Sequence, residues 1–293
     1  MQFDTKRFLL SDGDFLECYW HKTDIRTKNT PLVILFHGLA GSYKSPYIQG
    51  AVNELSKNGF DSVLMHFRGC TGTDNKLPRS YHSGDSGDAL EFIQSVKNEF
   101  SNSKLYAVGY SLGANMLLKL LGEIKENTLL EKVVAVSPPM QLDVCSDRMN
   151  IGFSRYYQHR LIKDLNIALD KKYDKHDMYS LINLKRQDIK YLKTFWDFDG
   201  AYTAPVHGFK DAQDYYTQSS SKQYLIDIQT PTLIIHAIDD PFMTQNIIPK
   251  KNELSKSVEL ELSQEGGHVG FISGTLFKPE YWLEKRIVNY LKS

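Results

Sequence analysis

"AVGYSLGAN", residues 107–115, sets one serine between two glycines directly after an apolar run. Gly109 and Gly113 stand two residues before and two residues after Ser111. Two readings compete: a helix start built from small residues, or a sharp turn from strand into helix that projects a reactive hydroxyl. The flanking sequence favours the second, because "LYAVGY" reads as a buried strand and "LGANMLLKLLGE" as a helix. So tight a turn forces the serine into strained backbone angles, and side chains two positions to either side would collide. The helix then begins beneath the hydroxyl and aims unpaired N–H groups at it.

Working outward from this turn, apolar runs recur at intervals. Pro31–Phe36 ("PLVILF"), Phe60–Phe67 ("FDSVLMHF"), Lys104–Val108, Lys132–Val136 ("KVVAV") and Pro231–Ile238 ("PTLIIHAI") are short, continuous and rich in branched residues, as strands buried on both faces should be. Helical patterns fall at 46–58, 84–99, 112–122 and 279–291, and Pro279 suits the first helical position of the last. The alternation predicts an α/β fold with a mainly parallel twisted sheet and helices on both faces. The amphipathic run Asp14–Trp20 predicts an antiparallel edge pairing. Residues 140–225 break the rhythm, with 14 aromatic residues in 86 positions against 12% aromatic in the whole chain. A separate second domain is one reading of that stretch. "KVVAV" before it and "PTLIIHAI" after it read as strands of one sheet, however, so we expect a helical cap insertion at 140–225 in a single domain with core 1–139 and 226–293.

Composition narrows the function. Lys+Arg and Asp+Glu both number 35 in the 293 residues, so no global field favours nucleic acid. No apolar run reaches the ~18 residues of a membrane helix. "MQFDTKRFLLSDGD" lacks the apolar centre and cleavage site of a signal peptide. Three cysteines (Cys18, Cys70 and Cys145) without a CxxC pair point away from disulfides and cysteine zinc sites, and toward a reducing, cytoplasmic setting.

A nucleophilic serine on such a turn needs a base and an orienting acid, in the chain order Ser, Asp/Glu, His. Five histidines follow Ser111. His159 and His176 sit in charged helical surroundings, His236 in mid-strand, and His207 in the insertion. His268, in "EGGHVGF", lies on a glycine-flanked loop after the last strand-like run, "VELEL", and is the candidate base. "IIHAIDDPFM" supplies the acid beyond a strand end, where sites of open α/β sheets gather. Of its two aspartates, Asp240 has a small residue three before it (Ala237) and an apolar one three after (Met243), so Asp240 takes the acid role and Asp239 serves the turn. Two backbone N–H donors are required for an oxyanion. Leu112, next after the serine, gives one; Leu39, in the loop "FHGLAGS", gives the other, with His37 holding that loop.

Tyr81, His82, Asp85 and Asp88 supply too few ligands at metal spacing, so neither a metal nor a cofactor is expected and a structural hydrogen-bond network is. Arg68 and Arg79 stay open between holding a substrate phosphate or carboxylate and pairing with Asp85 or Asp88. Taken together, "FHGLAGSYKSPYIQG" (36–50), "MHFRGCTGTDNKLPRSYHSGD" (65–85), "AVGYSLGANMLLKLLGE" (107–123), "FDGAYTAPVHGFKDAQDYY" (198–216), "DDPFM" (239–243) and "GGHVGF" (266–271) resemble the YheT-like branch of the α/β-hydrolases over nearly the whole chain. The resemblance implies the α/β-hydrolase fold and a Ser111–His268–Asp240 charge relay, with a small-molecule acyl ester, lipid-derived esters included, as substrate. Ala114 departs from the second glycine that relatives often carry there. The expectation is a serine carboxylic-ester hydrolase for short- to medium-chain acyl esters. Transfer of the acyl group to an alcohol is the alternative, and a non-catalytic binding protein on the same fold would be marked by a lost nucleophile or base, neither of which is lost.

Overall fold

In the computed structural model, which describes residues 2–27, 29–126, 129–275 and 278–293, the apolar runs pair into one sheet. Strands β1 (Asp4–Leu9) and β2 (Phe15–His21) form a hairpin, followed by β3 (Leu32–Phe36), helix α1 (Pro46–Lys57), β4 (Asp61–Met65) and α2 (Ser86–Glu99). Next come β5 (Leu105–Tyr110), α3 (Leu112–Ile124) and β6 (Lys132–Val136). Helices α4 (Leu142–Arg148), α5 (Phe153–Lys172), α6 (Met178–Ile182), α7 (Phe195–Phe198), α8 (Ala204–His207) and α9 (Ala212–Ser219) intervene before β7 (Thr232–Ala237) and β8 (Val258–Ser263). A small two-stranded ribbon, β9 (Ile272–Thr275) with β10 (Lys278–Tyr281), precedes the last helix, α10 (Trp282–Lys292).

The eight strands lie in the order β1-β2-β4-β3-β5-β6-β7-β8, with β2 antiparallel to both neighbours and β3 to β8 parallel. Continuous apolar strands are buried on both faces because each face is covered by helices. Leu32, Ile34 and Phe36 of β3 join a core with Phe92 of α2 and Leu117 and Leu121 of α3. Val33 and Leu35 point the other way, into a core with Val52 of α1 and Ile287 of α10. Each Leu→Ala change in such a layer costs about 2–5 kcal/mol.

Two details differ from expectation. Asp14–Trp20 does pair antiparallel, but as the second strand in; the edge is β1, "DTKRFL", exposed and charged as an edge that resists further pairing should be. Pro279 is not the first residue of the last helix. It lies in β10, opposite Gly274, and the helix begins at Trp282. The strand before Ser111 covers Leu105–Tyr110, the run "LYAVGY". Between 140 and 225 the described chain is helical and holds no strand, with a small core of its own around Ile162, Leu169, Phe198 and Tyr202.

Candidate active site

Ser111 occupies the single residue between β5 and α3 with φ 51° and ψ −117°, outside the comfortable regions for a side-chain-bearing residue. Its neighbours explain how the chain tolerates this. A Cβ on Gly109 would lie 2.7 Å from the carbonyl oxygen of Gly113 and the Cα of Ala114; one on Gly113 would lie 2.6 Å from the carbonyl oxygen of His37. Both glycines are therefore needed to let strand, turn and helix close on one another and on the end of β3. The Ser111 amide donates to the carbonyl of Val136 at 2.8 Å, pinning the turn to β6.

Three strand-end loops meet at this turn. His268, on the loop after β8, places Nε2 2.8 Å from Ser111 Oγ, and its Nδ1 lies 2.7 Å from Asp240 Oδ2. A carboxylate only accepts, so Nδ1 carries the proton and Nε2 is left to accept from the serine hydroxyl. Asp240, with its side chain 1% exposed, is fixed by a second bond: its Oδ1 accepts from the Phe242 amide at 2.9 Å. Asp239 turns to the same loop from outside, and its Oδ1 accepts from the Gly267 amide at 2.9 Å. The Phe242 ring packs edge-on against His268, centroids 4.9 Å apart.

Leu39 lies in the loop after β3, which passes so close to the turn that a Cβ on Gly38 would sit 3.3 Å from Ser111 Cβ. Among the described residues, nothing accepts from the amides of Leu39 or Leu112, and both residues line the same cavity as Ser111. The loop is held from three sides. His37 Nδ1 donates to the Gly38 carbonyl at 2.7 Å while its Nε2 accepts from the Phe67 amide at 3.2 Å. Burial pushes the His37 pKa down to about 3, so it stays neutral in this role. The hydroxyls of Tyr47 and Tyr81 accept from the Gly38 and Ala40 amides, at 3.0 and 2.9 Å. Ser137, at the end of β6, donates its hydroxyl to the carbonyl of His268. Tyr81 belongs to the hydrogen-bond network expected from the sequence; sequence reasoning missed Tyr47, Phe242 and Ser137, because no local pattern marks a hydroxyl or ring that reaches across to a loop distant in sequence. Ala40, Ser111, Ser137 and Phe271, with φ between 43° and 52°, put left-handed backbone after β3, β5, β6 and β8, all at the carboxyl edge of the sheet.

Of the other histidines, His236 is buried in β7 with its Nδ1 unpartnered among the described residues, and His159 is exposed. His207 packs edge-on against His82 with centroids 4.4 Å apart, and burial drives the His82 pKa well below its ordinary value. The two arginines left open above are spent on carboxylates. Arg68 Nε and Nη2 bind Asp88 at 2.6 and 2.8 Å, and the same guanidinium reaches Asp14 and Asp12. Burial alone would raise the Asp14 pKa, but hydrogen bonds from Asn75 and from the amides of Lys76, Leu77 and Phe15 hold it below the usual range. Arg79 pairs with Asp85 at 2.7 Å. No group of three or more His, Cys, Asp or Glu among the described residues is placed to hold a metal ion.

A cavity of about 680 Å³ opens beside Ser111. Its floor is the carboxyl edge of the sheet, and its wall is apolar: Leu142, Met149, Leu161, Leu165, Phe195 and Phe198, all from the helical segment between β6 and β7. Such a space accepts an apolar chain along these residues, and its lining also carries charged groups, among them Arg79, Asp164, Lys172 and Asp199.

A family profile described as alpha/beta hydrolase fold matches residues 31–275. The chain is 43% identical over 286 residues to YheT of Escherichia coli (strain K12), provisionally named an esterase, covering 98% of this chain and 84% of that protein. It is 28% identical over 270 residues to the monoacylglycerol lipase of Saccharomyces cerevisiae, covering 89% of this chain and 59% of the lipase. Among solved structures, an esterase of Pyrococcus furiosus superposes with a TM-score of 0.61 at 18% identity, covering 99% of this chain and 92% of that one. Matched along most of its length by that profile and by a relative of such identity, the chain belongs to the α/β-hydrolase fold family, in its YheT-like branch.

Proposed function

We propose that the protein is a serine carboxylic-ester hydrolase working through an acyl-enzyme on Ser111, with short- to medium-chain acyl esters as substrates. The observation that carries this reading is the hydrogen-bonded line from Ser111 Oγ through His268 to Asp240, set on a strained turn. His268 Nε2 takes the hydroxyl proton as Oγ attacks the ester carbonyl, and Asp240 steadies the imidazolium that results. The carbonyl oxygen becomes an oxyanion in front of the Leu39 and Leu112 amides, helped by the positive end of α3; one such donor is commonly worth a factor of ~10²–10³ in rate. The intermediate collapses, the C–O bond to the alcohol breaks, and His268 returns its proton to the leaving oxygen. Water then repeats the attack with His268 as base, releasing the carboxylic acid and restoring Ser111.

The segment 140–225 acts as a cap in this scheme, its apolar wall taking the acyl chain and keeping bulk water from the acyl-enzyme. The names of the E. coli and yeast relatives support ester chemistry. Labelling by a fluorophosphonate tests the mechanism: the probe should add its mass to the peptide holding Ser111, and Ser111→Ala should lose both labelling and turnover while melting like the parent. Turnover retained in that variant would refute it. Running the assay with an added alcohol distinguishes hydrolysis from acyl transfer by the product formed.

A further inference from the structure

Helix α5 buries Ser154, Gln158, Ile162 and Leu169 along one side. At ~100° per residue, Phe153, Tyr156, Arg160, Lys163 and Ile167 fall together on the opposite side. Three of these five, Phe153, Tyr156 and Ile167, are large and apolar where a solvated helix carries polar residues. Phe153 is 68% exposed, Tyr156 65% and Ile167 47%, and Ile151, just ahead of the helix, is 63% exposed. Single exposed apolar residues need no explanation, but a contiguous group does.

The group is also connected to the site. The Phe153 ring lies 5.4 Å from that of Tyr157, Tyr157 lies 5.0 Å from Phe242, and Phe242 lies 4.9 Å from His268. Tyr157 both lines the cavity and reaches solvent, so the cavity opens to the surface beside this group, as it also does along exposed Asp74, Lys171 and Lys175. Ser154 donates its hydroxyl to the carbonyl of Pro241, tying the start of α5 to the loop that carries Asp240.

We infer that this face of α5, with Ile151 before it, docks on an anionic lipid surface and seats the cavity mouth against it. Charge decides for lipid over protein. Arg160 and Lys163 stand among the aromatic residues and Arg155 on the flank, and none of the three forms an ion pair among the described residues; Asp164 is the carboxylate that interrupts them. Cations on long apolar stems and tyrosines with polar tips suit the headgroup layer, where stem and ring sink while charge and hydroxyl stay wet. That the surface delivers acyl esters to Ser111 rests on the esterase reading; the docking itself does not.

Co-sedimentation of the Ser111→Ala protein, which cannot turn lipid over, tests the docking directly. It should pellet with vesicles of phosphatidylcholine mixed with phosphatidylglycerol, and far less with phosphatidylcholine alone. Phe153→Ser with Tyr156→Ser should weaken that binding about a hundredfold. Arg160→Gln with Lys163→Gln should weaken it about tenfold or more and blunt its salt dependence. Neither pair, placed in the otherwise native chain, should alter turnover of soluble p-nitrophenyl butyrate. Failure to pellet with the mixed vesicles overturns the inference, as does binding that both pairs leave intact. A dimer in light scattering that the Phe153/Tyr156 pair dissolves, without vesicle binding, makes the face a contact between copies and overturns it too. Vesicle binding retained while Ser111 refuses the fluorophosphonate leaves the docking standing and sinks the esterase reading instead.

Discussion

Replacing Asp240 by asparagine changes one atom and should nearly stop the enzyme, for a reason visible in the bonds of that carboxylate. Its two oxygens do two jobs: Oδ1 accepts from the Phe242 amide and Oδ2 accepts from His268 Nδ1. An asparagine has one accepting oxygen. The Phe242 amide can only donate, so the oxygen stays with it and the side-chain NH₂ turns toward His268. Facing a donor, Nδ1 gives up its proton and the imidazole shifts to the tautomer protonated at Nε2. That tautomer cannot accept from Ser111. The same substitution in a well-studied serine protease, used here as the yardstick, costs about 10⁴ in kcat, which is about 5.5 kcal/mol of activation energy. Asp239→Asn has no such effect, because its amide keeps an oxygen for the Gly267 amide that Asp239 Oδ1 now serves; a loss within about tenfold is expected. Steady-state kcat on a p-nitrophenyl ester, with melting curves to show both variants folded, separates the two. Equal losses, or a larger one in Asp239→Asn, would refute the assignment.

Further outcomes follow from the same geometry. Esters of medium-length acyl chains should turn over faster than acetate, because the cavity wall is apolar along Leu142, Leu161 and Leu165; a chain-length series with flat kcat/KM would count against the acyl pocket. Gly109→Ala should cost about 2–3 kcal/mol in urea unfolding, since its new methyl meets backbone rather than a movable side chain; a melt unchanged from the parent would contradict that crowding. Acid should loosen the fold. Burial pushes His37 and His66 down to about 3 and about 4, and each spends both ring nitrogens as a neutral ring, His66 donating to the Glu17 carbonyl and accepting from the Tyr43 amide. Below pH ~6.5 the unfolded chain takes up protons that the folded one refuses, so stability is fully present above that pH and is lost as pH falls toward the folded values, by at most about 2 kcal/mol per histidine at pH 5. Urea midpoints equal at pH 7 and pH 5 would show that this linkage is absent.

The sheet was legible because strands buried on both faces leave continuous apolar runs such as "PLVILF", "KVVAV" and "PTLIIHAI". Ser111 was legible because its turn demands glycine at two fixed offsets. His268 and Asp240 emerged from chain order and from the Gly and Pro that bound their loops, and in the structure those side chains are the ones in contact with Ser111 and with each other. Strand β1 was not legible: it is charged, exposed and held by backbone pairing that leaves no periodic mark. Pro279 satisfied a rule for helix starts, but an exposed two-stranded ribbon tolerates proline too, and sequence alone gives the two readings equal weight. The choice between substrate and carboxylate for Arg68 could not be made from spacing, because Asp12 and Asp14 reach it from a hairpin turn far upstream.

Strain at the carboxyl edge has a consequence for how the protein fails. Four residues there hold left-handed backbone that costs roughly 1–2 kcal/mol each, a sum comparable with the whole stability of many domains. None of them is favoured locally; the loops keep that shape only while the strands behind them stay clamped. A partial slackening of the sheet, too small to register as unfolding, therefore lets these loops relax first and pull Ser111, His268 and the Leu39 amide apart. Heat should silence this protein some degrees before it melts.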